Sequence, residues 1–262
     1  MKILKVARAT RANAGIARAY DKRLMRLVDE MNNSVCYWLE AEYKKQIPKI
    51  AQDANPSKAM AAKLSKLFRQ WRKRFSEHAE LTSSWFMRTT DNAVSSSVTH
   101  ALNTAGMTVK MRTTPEVKNV LSSIYQTQVS LIKSIPEQYL TQVSVMVQES
   151  VNRGRDIAYL REQLQKKYDS TSKRARFIAI DQNNKATNAI AVERNKAAGI
   201  TEGIWVHHSA GSKSYRLSHI KASTDKLKFS LLEGAYIDGE YIMPGQLPGC
   251  KCTFRPVIPG FD

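Results

Sequence analysis

Apolar residues recur every three or four positions through most of residues 16–198, which is the period of an amphipathic helix. From about Gly15 to Gln46 the spacing alternates between four and three, as in a narrow coiled-coil seam. The seam residues are Leu24, Val28, Met31, Val35 and Trp38. Pro48 is expected to end this first helix, because proline cannot donate to the helical hydrogen-bond ladder.

A second helix is predicted from residues 55–57, with Ser57 as its N-cap. Its expected buried face consists of Met60, Leu64, Leu67, Trp71 and Phe75. The same helical pattern continues to Leu102 and ends near Gly106.

Four more helical stretches follow in the pattern. Thr114 and Pro136 each begin a predicted helix, and Gly154 closes the second of them as a glycine after the last turn. A short helix from Arg155 to Tyr168 comes next, and an alanine- and asparagine-rich helix ends at Gly199. Residues 16–198 are therefore predicted to be almost entirely helical.

The pattern changes after residue 199. Residues 204–206 and 228–232 resemble short strands, and residues 237–242 place apolar flanks around an Asp-Gly turn, which indicates a hairpin. The predicted fold class is mainly α, with long helices in the N-terminal region and a small C-terminal α+β module. We predict a flexible basic arm at residues 1–15, a helical domain at 16–171 and the module at 172–262.

The charge balance narrows the range of partners. The chain has 41 basic and 23 acidic side chains, a net charge of +18, which favours a polyanionic partner. Double-stranded DNA, RNA and an acidic protein surface all fit, and a role in solubility alone stays open. No apolar run reaches the roughly 18 residues of a membrane span, and the first residues are too polar for a secretory signal. The sequence thus indicates synthesis in the cytoplasm and no membrane span.

The second helix carries the densest run of one charge. Between Asn55 and Ser76 the sequence has no acidic residue. It has seven cations there: Lys58, Lys63, Lys66, Arg69, Arg72, Lys73 and Arg74. Two interpretations are open, a solvated helix face and a DNA-binding surface that contacts phosphates, and the local absence of acids favours the second.

The cysteines raise the question of a metal. Three cysteines make an odd number, so no disulfide framework is indicated, and Cys36 fits a helix core. His219, Cys250 and Cys252 are suitable zinc ligands, and a fourth ligand is available from His207, His208 or Asp238. Two alternatives to a structural zinc site remain: a pair of packed thiols and a redox-labile pair.

Enzymatic activity finds little support in the sequence. His207, His208, His219, Asp225 and Asp238 could in principle supply a general base and a metal ligand. No spacing typical of a catalytic motif is present, neither His-Glu-x-x-His nor Gly-x-Ser-x-Gly nor a phosphate-binding glycine loop. We predict that the chain is no enzyme, with a metal-dependent nuclease as an alternative.

Several motifs occur in an order that points to one family. Residues 131–135 (Leu-Ile-Lys-Ser-Ile) precede a helix and Gly154, and residues 175–188 include the group Ile-Asp-Gln-Asn at 180–183. The remaining motifs are residues 198–200, Trp205, residues 215–219 and residues 250–252. This order resembles the phage Mu F-like family of minor head, or head morphogenesis, proteins of tailed bacteriophages. The resemblance covers roughly residues 131–262.

The chain departs from the family pattern at two places. Ile180 stands where the family usually has arginine, which removes a possible charge partner for Asp181. Residues 207–213 also lengthen the interval between Trp205 and His219, in place of the commoner acidic turn.

The resemblance implies a minor capsid protein of the virion, present in few copies inside the head at the portal vertex. Its implied partners are the portal protein, the major capsid or scaffolding protein and the packaged double-stranded DNA. Its implied role is in procapsid assembly, and whether it stays in the head or enters the host with the DNA is open. The rival interpretation is a free-standing nucleic-acid-binding protein.

Overall fold

The computed structural model describes residues 5–45, 56–208 and 215–260, with only the backbone of residues 56–58. Within these ranges the chain forms five helices, α1 Ala14–Lys45, α2 Pro56–Thr104, α3 Pro115–Asn152, α4 Ile157–Ala197 and α5 Leu217–Thr224. The strands are β1 Glu202–Val206, β2 Lys228–Ser230, β3 Ala235–Ile237, β4 Glu240–Ile242 and β5 Thr253–Pro256. This confirms the predicted fold class. None of these helices combines the length and the apolar character needed to cross a membrane.

The chain divides into two compact units. The helical unit consists of Ala19–Ser83 and Thr127–Ile178, and the mixed unit consists of Met1–Arg18, Ser84–Gln126 and Ala179–Asp262. The predicted domain limit between residues 171 and 172 falls inside α4, and the predicted limits remain a prediction from the sequence.

The core of the helical unit follows the predicted seam with one change. Leu24, Val28, Met31 and Val35 are fully buried, whereas Trp38 is 38% exposed and Leu39 is fully buried in its place. The seam continues from Val35 by a step of four instead of three, which a helix of 3.6 residues per turn permits equally well. The predicted face of α2, from Met60 to Phe75, is buried as expected.

Two predicted helix boundaries are wrong. Pro136 lies inside α3 instead of beginning a new helix. Its neighbours Ile135, Tyr139 and Leu140 are buried, and this packing offsets the cost of about 3 kcal/mol that a proline imposes within a helix. The two predicted helices that end near Tyr168 and Gly199 are likewise the single helix α4.

The mixed unit contains both small sheets. The first has the order β2-β1-β5 and is antiparallel, with Trp205 of β1 opposite Phe254 of β5. The second is the β3-β4 hairpin, whose turn residues Asp238 and Gly239 have φ of 54° and 86°. Two successive positive φ values are typical of a type I′ turn, so the predicted hairpin is confirmed.

The predicted flexible basic arm takes a different form in the described residues 5–13. Val6 forms a bridge with Val257, and the Ala7 N–H donates to the Pro256 carbonyl at 2.9 Å. Ala7 and Thr10 are buried. The edge of β5 offers unpaired backbone groups, and this segment satisfies them. Residues 1–4 lie outside the described residues.

Candidate metal centre

The last part of α4 positions the segment that carries both cysteines. The Gly249 N–H donates to Asp181 Oδ1 at 2.7 Å, and Asn188 Nδ2 donates to the Cys252 carbonyl at 3.1 Å. Asp181 and Asn188 are seven residues apart, two helical turns, so both face the cysteine segment. Both side chains are buried. The polar residues in the Asn-rich helix therefore act as supports for residues 249–252.

Asp181 also has a cationic partner, although Ile180 stands at the place where the family has arginine. Lys185 Nζ lies 2.9 Å from Asp181 Oδ2, one turn further along α4. Ile180 itself is 48% exposed. Lys185 thus supplies the positive charge beside Asp181 that Ile180 cannot supply.

Cys250 and Cys252 lie on the segment between a turn, closed by the Cys250 N–H and the Leu247 carbonyl, and β5. Alternate residues of an extended chain point to the same side, so one intervening residue, Lys251, is enough to bring both sulfurs together. Both cysteines are buried, and neither is in a disulfide.

His219 faces both sulfurs from α5. Its Nδ1 lies 3.5 Å from Cys250 Sγ and 3.6 Å from Cys252 Sγ. The ring is 2% exposed and stands edge-on to the Trp205 ring at a centroid distance of 5.1 Å. At the start of α5, Arg216 Nη2 donates to the Pro248 carbonyl at 3.3 Å, which ties this helix to the cysteine loop.

His207, directly after β1, is the candidate fourth ligand whose ring contacts a cysteine of the cluster. Its Nδ1 lies 3.5 Å from Cys252 Sγ. The sequence contains a signal for this choice, because His207 is two residues from the buried Trp205 and so shares its face of the strand. His208 is exposed, and Asp238 Oδ2 accepts from the Ser218 hydroxyl at 2.6 Å.

The electrostatics of the cluster favour one thiolate, at Cys250, beside a thiol at Cys252. A hydrogen bond from the Cys252 thiol, with backbone N–H donors and the neighbouring His219, lowers the pKa of Cys250. The same hydrogen bond and burial raise the pKa of Cys252. Burial lowers the pKa of His207, which keeps its imidazole neutral near pH 7. A thiolate beside a neutral imidazole is the combination that binds zinc.

His219, Cys250 and Cys252 could thus hold a metal ion such as zinc. Their ligand atoms all lie within 4.8 Å of one another. This cluster has no carboxylate among its described members. Of the two acids considered for catalysis, Asp225 accepts from Lys221 at 2.7 Å, and Asp238 accepts from Ser218.

The second group of predicted site residues, the cations of α2, is partly neutralised. Arg72 forms an ion pair with Glu137 of α3, and Arg74 forms one with Glu30 of α1. These acids are far away in the sequence, so the local absence of acids in α2 did not reveal them.

The remaining cations of α2 differ in their surroundings. Lys63 Nζ lies 3.7 Å from the centroid of the Trp38 ring, and Lys73 Nζ lies 3.9 Å from Glu77 Oε1. Lys66 and Arg69 are exposed and have no ion-pair partner among the described residues. The Lys58 side chain lies outside the described residues.

The fold and the cluster together define a class: a mainly helical protein whose C-terminal α+β segment holds a buried group of histidine and cysteine. Residues 141–255 match the family described as phage Mu protein F like protein. This part of the chain is therefore a Mu F-like domain, as the resemblance indicated.

One relative matches nearly the whole chain. It is a protein of Haemophilus influenzae with the description "Uncharacterized protein", 27% identical over 244 residues. The match covers 91% of this chain and 52% of the relative, so the chain spans about half the length of that protein. No solved structure matches the chain.

Proposed function

We propose that the chain acts as a minor capsid protein in head morphogenesis of a tailed bacteriophage, inside the head at the portal. The observation that carries this proposal is the Mu F-like domain at residues 141–255. Through its resemblance to that family, the chain is expected to join the procapsid and to contact the portal protein and the major capsid or scaffolding protein.

The surface charge supports a second part of the proposal, contact with packaged DNA. Lys66, Arg69 and Lys73 follow one another at steps of three and four, so they share one exposed face of α2. Together with the net charge of +18, this face suits phosphate contacts without base readout. Arg72 and Arg74 contribute less to it, because each has a carboxylate partner.

The head assignment can be tested by purifying procapsids and mature heads of the phage or prophage that encodes the chain. We expect the chain in both particles by mass spectrometry, at a copy number far below that of the major capsid protein. Cryo-electron microscopy without imposed symmetry should then show its density at the portal. Absence from procapsids and heads alike would exclude this function and favour the free-standing nucleic-acid-binding protein.

The DNA contact can be tested by the salt dependence of binding to duplex DNA. Removing two phosphate contacts should reduce the slope of log K against log[salt] by about 2, because each contact releases about 0.9 counterion. We therefore expect that reduction for the double variant Lys66→Ala/Arg69→Ala.

The matched control is Lys166→Ala/Lys221→Ala, which removes the same charge from exposed lysines that already have acidic partners. If the two double variants reduced the slope of log K against log[salt] equally, DNA binding would depend on net charge and not on the face formed by α2.

A further inference from the structure

We propose that His207, His219, Cys250 and Cys252 together bind one zinc ion, with His207 as the fourth ligand and Nδ1 as the coordinating atom of both imidazoles. The proposal does not depend on the role in the phage head. It assigns a complete ligand set where three residues alone would leave a coordination position open.

Three separations between ligand atoms match a tetrahedral zinc centre, and a shift of the His207 side chain towards the other three ligands, whose atoms lie within 4.8 Å of one another, completes it. Zinc–sulfur bonds of about 2.3 Å and zinc–nitrogen bonds of about 2.0–2.1 Å place neighbouring sulfur and nitrogen ligands about 3.6 Å apart. His219 Nδ1 lies 3.5 and 3.6 Å from the two sulfurs, and His207 Nδ1 lies 3.5 Å from Cys252 Sγ. All three separations agree with that value.

Hydrogen bonds alone explain this arrangement poorly. One ring nitrogen, His219 Nδ1, faces two sulfurs at nearly equal distance, yet it has one lone pair or one proton. The other ring nitrogen, Nε2, is buried without a hydrogen-bond partner. A buried imidazole held only by weak sulfur contacts is costly, and an ion between Nδ1 and the sulfurs supplies the missing interaction.

The surroundings of the cluster also suit an ion. Four of its described lining residues are the proposed ligands, and the cavity there measures about 20 Å³. That volume is comparable to the space that one water molecule needs.

The ligand set identifies both the metal and its role. Two sulfurs and two imidazole nitrogens in tetrahedral geometry are typical of zinc. Four protein ligands leave no coordination position for a substrate, so the centre is structural and not catalytic. It joins the end of β1, helix α5 and the segment before β5.

The test uses the full chain, stripped of metal and then titrated with Zn²⁺ and, in a parallel sample, with Co²⁺ as a spectroscopic probe. We expect one zinc per chain by elemental analysis. With Co²⁺ we expect the visible absorption of a tetrahedral ion and a thiolate charge-transfer band. If the wild-type chain binds neither ion in stoichiometric amount, the proposal fails.

The fourth ligand is tested by His207→Ala against its neighbour His208→Ala. Loss of an outer partner weakens metal binding by about 10–100-fold, so loss of a ligand should weaken it by about 100-fold or more. We expect that loss for His207→Ala and unchanged affinity for His208→Ala, with circular dichroism confirming that both variants fold. Equal affinities of the two variants would overturn the assignment of His207.

Discussion

Both units bury polar side chains, but the functional groups of these side chains differ. In the helical unit the buried polar groups include tyrosine hydroxyls with neutral acceptors: Tyr20 donates to Gln128 at 2.9 Å and Tyr139 donates to Asn32 at 2.7 Å. In the mixed unit the buried groups include an imidazole, two thiols and a carboxylate, at His219, Cys250, Cys252 and Asp181.

The buried polar groups of the helical unit contribute only to stability, whereas those of the mixed unit can also take part in chemistry. A tyrosine hydroxyl with an acceptor satisfies its hydrogen bond and does nothing else near pH 7. Thiols and imidazoles change protonation near that pH and bind metals. A metal-dependent response is therefore expected in the mixed unit and not in the helical unit.

The largest expected effect comes from a buried ion pair in the mixed unit. Arg194 donates from Nη2 to both carboxylate oxygens of Asp91, at 2.7 and 2.9 Å, and Arg194 is 4% exposed. Arg194→Ala leaves the carboxylate of Asp91, whose side chain is only 18% exposed, without its cation, so it should lower the free energy of unfolding by about 3 kcal/mol. Urea denaturation followed by circular dichroism measures this loss.

The helical unit provides the matched control. Arg161 forms the same two-bond pair with Glu40, at 2.8 and 3.0 Å, but its side chain is 55% exposed. Water screens such a pair, so Arg161→Ala should change the unfolding midpoint only slightly. Similar losses in the two variants would mean that burial does not distinguish these pairs.

The next effect concerns the support of the cysteine segment. Asp181→Ala leaves the Gly249 N–H and Lys185 without their partner, and we expect a loss of about 2–3 kcal/mol. Asp181→Asn keeps an oxygen acceptor for Gly249 and loses only the charge, so it should cost about half as much. Equal costs would show that the ion pair to Lys185, and not the Gly249 hydrogen bond, supplies the stability.

The fold was largely predictable because its long helices have strong apolar periodicity, and the predicted hairpin follows from its Asp-Gly turn. The errors arise where tertiary packing outweighs local preference. Pro136 is tolerated inside α3 because its neighbours are buried, and Leu39 replaces Trp38 because the helix period permits both. The short helix α5 has no such periodicity, and the pattern did not reveal it.

The cluster was predictable in its residue types but not in its contacts. The sequence supplied His219, Cys250 and Cys252, but it left three candidates for the fourth ligand. The face shared by Trp205 and His207 would have favoured His207. By contrast, two ion pairs of α2 could not be predicted from the local sequence, because they join different helices. These pairs are Arg72 with Glu137 and Arg74 with Glu30.

A smaller effect tests the tyrosines of the helical unit. Burial raises the pKa of Tyr20 and of Tyr139 above the value of about 10 for an unfolded chain. Above pH 10 the unfolded chain therefore loses protons that the folded chain keeps, so stability is complete below pH 10 and falls as the pH rises. Each tyrosine should contribute a slope of about 1.4 kcal/mol per pH unit.

The measurement is urea denaturation between pH 9 and pH 11. Tyr139→Phe should cost about 1 kcal/mol at pH 7, through its lost hydrogen bond, and should remove its share of the alkaline slope. Tyr37 is 66% exposed, so Tyr37→Phe should keep the wild-type slope. An unchanged slope in Tyr139→Phe would assign the alkaline loss to other groups.

The smallest expected difference between the two units concerns a glycine turn in each, where the same substitution should cost the same. Gly154 after α3 and Gly239 in the hairpin have φ of 74° and 86°, and an added Cβ would meet no atom within 4 Å at either position. Alanine at each site should therefore cost only its backbone strain, about 1–2 kcal/mol. If both variants lose the same free energy of unfolding in urea denaturation, the two turns contribute equally to stability. The two units then differ in their buried polar groups and not in these turns. A clearly larger loss for Gly239→Ala would instead place part of the difference in the hairpin backbone.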